Sequence, residues 1–170
     1  MRAASTIDQG RRRFLFARKQ TEPAPFRPPW TDETLLDSRC TGCGDCLRAC
    51  PENVLKPGAG GYPVFDPFAG SRECTFCGEC AAACNEDVFV TFRDPPWNIA
   101  AVLNEETCLA HRDIHCESCR DVCAEQAIRF RPRIGGPPTP TLEEAVCTGC
   151  GACISSCPAN ALSLKHKEDA

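Results

Sequence analysis

The sequence predicts an α+β fold made of two similar units in tandem, preceded by a flexible N-terminal arm. Three observations predict it. Sixteen cysteines among 170 residues stand in four blocks of four, and none is left over. The blocks recur, because Cys40 to Cys74 and Cys74 to Cys108 are each 34 residues apart. Between the blocks, short apolar segments flank clusters of Gly and Pro, which is typical of short β-hairpins.

The spacing of the cysteines indicates what they bind. The first, second and fourth blocks read C-x2-C-x2-C-x3-C. The third block keeps the spacing of its last three cysteines but widens the first gap to seven residues. This run is the bacterial ligand pattern for [4Fe-4S] clusters, and sixteen thiolates match four clusters. The expected architecture is therefore two tandem ferredoxin-like units with two clusters each, built from short hairpins and short helices. The sixteen predicted iron ligands are Cys40, Cys43, Cys46, Cys50, Cys74, Cys77, Cys80, Cys84, Cys108, Cys116, Cys119, Cys123, Cys147, Cys150, Cys153 and Cys157.

Two other uses of the cysteines fit the pattern less well. Structural zinc would need two CxxC pairs per site, whereas each block has three cysteines in one coil and a fourth nearby. Disulfides need an oxidising compartment, and the chain shows no cleavable secretory signal. A zinc-based interaction module would also be colourless.

The way in which the blocks share ligands has two solutions. In two-cluster ferredoxins the fourth cysteine of one run ligates the other cluster. We favour exchange between the first and second blocks and between the third and fourth, because a Gly-rich hairpin lies inside each pair and Pro95-Pro96 lies between them. The alternative pairs the second block with the third and the first with the fourth. The favoured solution divides the chain into the arm at 1–30, one unit at 31–94 and another at 95–170.

The third block departs from the repeat. Its insertion lies within Leu109–His115, so the occupancy of that cluster is left open. His111 or His115 is an alternative ligand there, although an ordinary loop histidine is the simpler interpretation.

Short strands are expected around the blocks. The predicted segments are a hairpin of Asn53–Leu55 with Tyr62–Phe65, a strand at Val88–Phe92, a strand at Ile99–Leu103, a hairpin of Ala127–Phe130 with Thr141-Leu142, a last strand at Ala161–Leu164 and a frayed tail at Lys165–Ala170.

Charge separates the arm from the body. Residues 1–30 carry seven basic and two acidic side chains, which is +5, so the net charge of −4 leaves −9 on residues 31–170. An acidic body suits an electron carrier that docks on basic surfaces, and it argues against nucleic acid as a partner. No apolar run approaches the ~18 residues of a transmembrane segment. Nothing resembles a nucleophile–base pair, a nucleotide-binding Gly loop or an open metal site, so we do not expect an enzyme.

The arm contains a possible docking motif. Residues 11–16, RRRFLF, resemble the twin-arginine export motif, so Arg11, Arg12, Phe14 and Leu15 are the candidate partner-binding residues. An export signal would continue with an apolar stretch of about 7–15 residues, but a charged segment follows. The chain is therefore expected to stay in the cytoplasm. A disordered leader and a weak membrane-surface contact are the alternatives.

Taken together, these features resemble the NapF family, the ferredoxin-type accessory proteins of periplasmic nitrate reductase systems. The resemblance rests on the four blocks, the Cys108-x7-Cys116 gap, the Arg-Arg arm, Arg27–Trp30, Gly58–Pro63 and Phe130–Pro132. It implies a cytoplasmic iron–sulfur protein that contacts the catalytic molybdenum subunit of the nitrate reductase before export. The role it implies is maturation of that precursor, through cluster assembly or electron supply. A general electron carrier or electron-transfer subunit is the alternative.

Overall fold

The computed structural model describes residues 24–70, 73–90 and 94–167, and these contain only short elements. The helices are α1 (Glu33–Arg39), α2 (Asp45–Ala49), α3 (Glu79–Ala82), α4 (Ser118–Asp121) and α5 (Ala152–Ser155). The strands are β1 (Leu55–Pro57), β2 (Pro63–Phe65), β3 (Ile99–Leu103), β4 (Ile128–Arg133), β5 (Gly136–Leu142) and β6 (Leu162–His166). This mixture of short helices and short strands confirms the predicted α+β class.

Two hairpins form where the Gly clusters predicted them. β1 and β2 are antiparallel with Leu55 opposite Phe65, and a 3-10 turn at Ala59–Gly61 connects them. β4 and β5 are antiparallel with Ile128 opposite Leu142. Each hairpin lies between the two cysteine blocks of one predicted unit.

A third strand pair joins the two ends of the second unit. β3 and β6 are antiparallel, with Leu103 opposite Leu162. In the first unit an isolated bridge between Thr31 and Phe89 takes the corresponding place. The predicted strand at Val88–Phe92 is reduced to this bridge among its described residues, 88–90. The strand pairing stops there because Thr31, on the opposite segment, is followed directly by the start of α1. The N-cap of that helix, Asp32, accepts hydrogen bonds from the backbone amides of the first turn.

The predicted fraying of the C-terminal tail is wrong for its first three residues. β6 continues to His166, and the amide of Lys167 donates to the carbonyl of Asn98 at 3.0 Å. The sequence did not show that residues so distant along the chain lie side by side. Residues 168–170 lie outside the described part.

The segment at 24–30, which the sequence analysis assigned to the arm, packs against the body. Pro28, Pro29 and Trp30 are buried. The amide of Phe65 donates to the carbonyl of Phe26 at 2.7 Å. The amide of Trp30 donates to the carbonyl of Pro96, which lies just after the first unit, at 2.8 Å. Burial of this Pro-Pro-Trp group stabilises its position. The arm therefore joins the body before residue 30.

The two units share their hydrophobic packing. One core cluster contains Val54, Leu55 and Phe65 from the first unit together with Trp97 and Ile99 from the second. The Trp97 ring lies 4.8 Å from the Phe65 ring. A second cluster lies within the second unit and contains Ala101, Ile128, Cys153, Ile154 and Leu162. Trp97 of the second unit thus completes the hydrophobic core of the first unit.

We expect Phe65→Ala to lower the free energy of unfolding of the anaerobic holo-protein by about 3–5 kcal/mol, because it leaves a cavity beside Trp97. Phe65, at the end of β2, is 2% exposed, whereas Phe68 in the turn that follows is 59% exposed. Phe68→Ala is the control and should change that free energy by less than about 0.5 kcal/mol. Denaturant unfolding measures both, and equal losses would contradict the shared core.

Candidate metal centre

The structure gathers the sixteen cysteines into four groups, and each group takes three from one block and one from another. Three groups line cavities. Burial raises the pKa of Cys119, and the neighbouring thiols that raise it further identify the fourth group. The groups are site 1 (Cys40, Cys43, Cys46, Cys84), site 2 (Cys50, Cys74, Cys77, Cys80), site 3 (Cys108, Cys116, Cys119, Cys157) and site 4 (Cys123, Cys147, Cys150, Cys153).

Short helices explain the exchange of cysteines between sites. α2 carries Cys46 of site 1 near its start, and Cys50 of site 2 caps its end. α5 relates Cys153 of site 4 and Cys157 of site 3 in the same way, with Cys157 just beyond its C-cap. The x3 spacing therefore places one helical turn between two sites. This grouping agrees with the favoured exchange and differs from the alternative between the second and third blocks.

A turn that the sequence analysis missed follows every block. Asn53, Asp87, Gln126 and Asn160 each lie three residues after the last cysteine of a block and have φ values of 56°, 50°, 51° and 48°. Short polar side chains tolerate this left-handed conformation better than most residues. The amides of three of them donate to the carbonyl of the preceding cysteine at 3.1–3.2 Å. A polar residue at this place in all four repeats was the available signal.

Two glycines of the fourth block allow close approaches. Gly149 has a φ of +73°, and a Cβ there would lie 2.6 Å from the carbonyl oxygen of Ile99. Gly151 has a φ of +91°, and a Cβ there would lie 2.7 Å from the Cβ of Pro67 in the first unit. Glycine is the residue that accepts both the backbone angle and the contact. These glycines seat the site 4 loop against β3 and against the first unit.

The insertion in the third block folds into a turn that returns the chain to its cysteines. The amide of Arg112 donates to the carbonyl of Cys108 at 3.1 Å, and Ala110 is 1% exposed. Arg133, on the β4–β5 hairpin, pairs with Asp113 and so ties the hairpin to the insertion. Cys108 therefore joins site 3 despite the wide gap.

The two histidines of the insertion make contacts with carboxylates. The Nδ1 of His111 lies 4.0 Å from Glu105, and its Nε2 is buried without a hydrogen-bond partner. The exposed His115 lies 3.9 Å from Glu117 through its Nε2. These contacts agree with ordinary loop histidines.

Burial raises the pKa of several thiols of the metal-free chain and so favours their protonated form. It raises the pKa of Cys46 and of Cys119 to about 11. It raises the pKa of Cys74, Cys80 and Cys153 to about 12. Only a thiolate ligates iron, so cluster binding must displace these protons. The positive charge of iron then stabilises thiolates that burial alone would disfavour.

Backbone amides lie close to two of the sulfurs. The amide of Ala101 donates to the Sγ of Cys147 in site 4 at 3.4 Å. The amide of Ala161 donates to the Sγ of Cys157 in site 3 at 3.2 Å. Hydrogen bonds to ligand sulfurs tune the reduction potential of an iron–sulfur cluster.

The donor sets fit [4Fe-4S] clusters. Each site offers four thiols, and the cavities at sites 1, 2 and 4 have similar volumes of about 380, 360 and 380 Å³, including space open to solvent. Apolar side chains such as Trp30 and Val54 line the site 2 cavity. Within the described residues, no three His, Cys, Asp or Glu side chains are placed to hold a single metal ion. A bound cluster would supply one-electron chemistry at each site.

The candidate partner-binding residues Arg11, Arg12, Phe14 and Leu15 lie outside the described residues. The helices of residues 24–70, 73–90 and 94–167 all lack the length and hydrophobicity that crossing a membrane requires.

Comparison with known families confirms the tandem organisation. Two family models, both described as 4Fe-4S dicluster domains, match residues 39–89 and residues 114–161. Each match lies inside one predicted unit, and the second begins after Cys108. The matches confirm [4Fe-4S] clusters as the cofactor type, while the exact domain boundaries stay predictions.

Curated proteins resemble the chain over most of its length. The ferredoxin-type protein NapF of Escherichia coli K12 is 38% identical over 161 residues, which cover 94% of this chain and 96% of that protein. NapF of Haemophilus influenzae is 42% identical over 142 residues, covering 82% and 78%. The methylamine utilization ferredoxin-type protein MauM of Methylobacillus flagellatus is 28% identical over 194 residues, covering 92% and 83%.

Paired substitutions distinguish a site from a block. Cys43→Ala with Cys84→Ala removes two ligands of site 1, so we expect a loss of about four irons per chain. Cys43→Ala with Cys50→Ala removes two cysteines of one block that belong to different sites, so about eight irons should be lost. Iron and acid-labile sulfide are measured on anaerobically purified protein. Equal losses from the two variants would contradict the exchange.

Acid should release the clusters. The pKa values of the buried thiols are raised, which favours the protonated form, and a protonated thiol does not ligate iron. The equilibrium therefore moves toward cluster loss as pH falls, and we expect faster anaerobic bleaching of the visible absorbance between about pH 8 and about pH 5. Metal-free protein titrated with iron and sulfide should release protons in proportion to the clusters formed. Bleaching that does not change with pH would contradict this mechanism.

Proposed function

The chain belongs to the NapF family of ferredoxin-type proteins, and from this we propose that it is a cytoplasmic iron–sulfur protein that assists maturation of the catalytic molybdenum subunit of periplasmic nitrate reductase before export. It holds four [4Fe-4S] clusters, with the sixteen cysteines of sites 1 to 4 as their ligands. It acts on its partner by supplying electrons or by taking part in cluster assembly. It is an accessory protein and carries no catalytic residue of its own.

The observation that carries this proposal is the connection between the arm and a cluster site. Pro29 and Trp30 end the arm-proximal segment, and both line the cavity of site 2 beside Cys50 and Cys74. The guanidinium of Arg27 donates to the carbonyl of Pro63 at 3.1 Å, which adds a second attachment to the body. A precursor held by Arg11, Arg12, Phe14 and Leu15 would therefore be tethered close to a cluster.

Exposure of two cysteines supports transfer to a partner. Cys43 of site 1 and Cys77 of site 2 are exposed, whereas Cys80 and Cys153 are buried. A ligand at the surface shortens the path from a cluster to a bound protein. The acidic charge of residues 31–170 would favour basic regions of that protein.

A general electron carrier or electron-transfer subunit is the second candidate. The favouring observation is the placement of four cysteine sites in one continuous body, because neighbouring clusters shorten each electron transfer. This candidate needs no arm for recognition, so the two functions separate experimentally.

We expect Arg11→Ala, Arg12→Ala, Phe14→Ala and Leu15→Ala, combined in one full-length holo-protein, to abolish capture of the cytoplasmic precursor of the molybdenum subunit. The variant should keep its iron content and its reduction by dithionite, because the substitutions lie outside the cysteine sites. Anaerobic pull-down with the tagged precursor measures binding, and iron analysis measures the clusters.

The matched control is Arg18→Ala with Lys19→Ala, which removes the same positive charge from the same arm. It should bind the precursor as the parent chain does, since recognition needs the motif and not the charge alone. No capture by the parent holo-protein would rule out the maturation role. Undiminished capture by the variant with the four substitutions would show that the arm motif does not recognise the precursor.

A further inference from the structure

We infer that the four clusters form one linear electron path in the order site 1, site 2, site 4, site 3, and that the contact of Cys74 with Cys150 carries the step between the units. The inference rests on the proposed occupancy of the four sites. It adds that the tandem units are one redox chain and not two separate two-cluster modules.

Neighbouring sites within each unit are linked through their ligands. In the first hydrophobic cluster, Cys46 of site 1 packs against the buried residues that include Cys80 of site 2, and α2 joins Cys46 to the site 2 ligand Cys50. In the second cluster, Cys119 and Cys157 of site 3 pack against the buried residues that include Cys153 of site 4. These are the outer steps of the path, site 1 to site 2 and site 4 to site 3.

The middle step crosses the boundary between the units. The amide of Cys74 donates a hydrogen bond to the carbonyl of Cys150 at 2.9 Å. One residue is a ligand of site 2 and the other a ligand of site 4. A single hydrogen bond therefore joins the ligand loops of two sites that belong to different units.

Three further contacts hold this boundary. Because Gly151 has no side chain, the loop of site 4 can approach Pro67 and Phe65 of the first unit. The indole Nε1 of Trp97 donates to the carbonyl of Thr148 at 2.6 Å, within the fourth block. The Trp97 ring also lies 5.4 Å from Phe76 in the second block, so one side chain bridges the loops of sites 2 and 4.

The chemistry of the middle step is one-electron exchange. An electron supplied by a low-potential reductant leaves the reduced core at site 2, which is oxidised, and reduces the core at site 4. No bond breaks, no group is transferred and no proton has to move. The rate of such exchange, like the magnetic coupling of two reduced clusters, falls steeply as the gap between them widens.

Gly151→Ala is the variant that tests the path. Its Cβ would meet Pro67, so the units must separate there without loss of a ligand. Gly44→Ala is the matched control, because Gly44 also follows the second cysteine of its block and also has a positive φ, of +77°. Gly44 is the N-cap of α2, as Gly151 is the N-cap of α5. Its nearest neighbour is the flexible end of Arg48, at 3.2 Å.

Full-length holo-proteins are reduced anaerobically with dithionite or photoreduced deazaflavin and examined by EPR. We expect Gly151→Ala to keep its iron content but to lose part of the magnetic interaction, seen as slower spin relaxation than in the parent chain. Gly44→Ala should retain the interaction of the parent chain. Equal relaxation of the parent and Gly151→Ala proteins would overturn the inference.

A second variant isolates the middle step. Cys43→Ala with Cys116→Ala removes one ligand each from sites 1 and 3, leaving sites 2 and 4 with about eight irons per chain. Because these sites lie in different units, any interaction between their reduced clusters must cross the boundary. An interacting spectrum supports the path, and two independent signals overturn it. A chain that holds four clusters and binds the precursor without this interaction would contradict only the inference.

Discussion

The convergence of cysteines from neighbouring blocks on common sites is the constraint that organises this molecule. Each short helix between the third and fourth cysteines of a run leads from one site to the next, as α2 does between Cys46 and Cys50. Four thiols bound to one cluster join segments that are far apart in the chain. Because burial disfavours the thiolates in the absence of iron, cluster binding and folding are coupled. The small hydrophobic cores complete the body around the cysteine sites.

The boundary between the units decides how the parts act together. Trp97 packs into the core of the first unit and donates to the backbone of the fourth block. The segment at 24–30 packs on the first unit and reaches the wall of site 2. The segment at 24–30 therefore contacts both the wall of site 2 and the second unit.

Much of the fold and of the candidate site was predictable because ligand spacing is a local property. The C-x2-C-x2-C-x3-C run, the Gly clusters at the hairpins and the 34-residue period all lie within short windows of sequence. The missed features involve distant partners. Lys167 is ordered by Asn98, and the strand at Val88 is limited by the early start of α1. The left-handed turns after each block, such as that at Asn160, were visible only as polar residues without an obvious role.

Cysteine count, spacing and period were sufficient to establish the cofactor type and the tandem arrangement, since these depend on chemistry encoded residue by residue. The resemblance to a family needed the arm and the segments at Arg27–Trp30 and Gly58–Pro63 as well. The hairpins and the Pro95-Pro96 break favoured one of the two ways of sharing ligands, but the equal gaps between successive blocks did not distinguish them. Folding in three dimensions made that choice by placing Cys84 beside Cys46 and Cys50 beside Cys80. It also placed Cys74 against Cys150 across the boundary. Which distant segments come into contact depends on how the whole chain packs, and no local pattern of residues in a single sequence shows this.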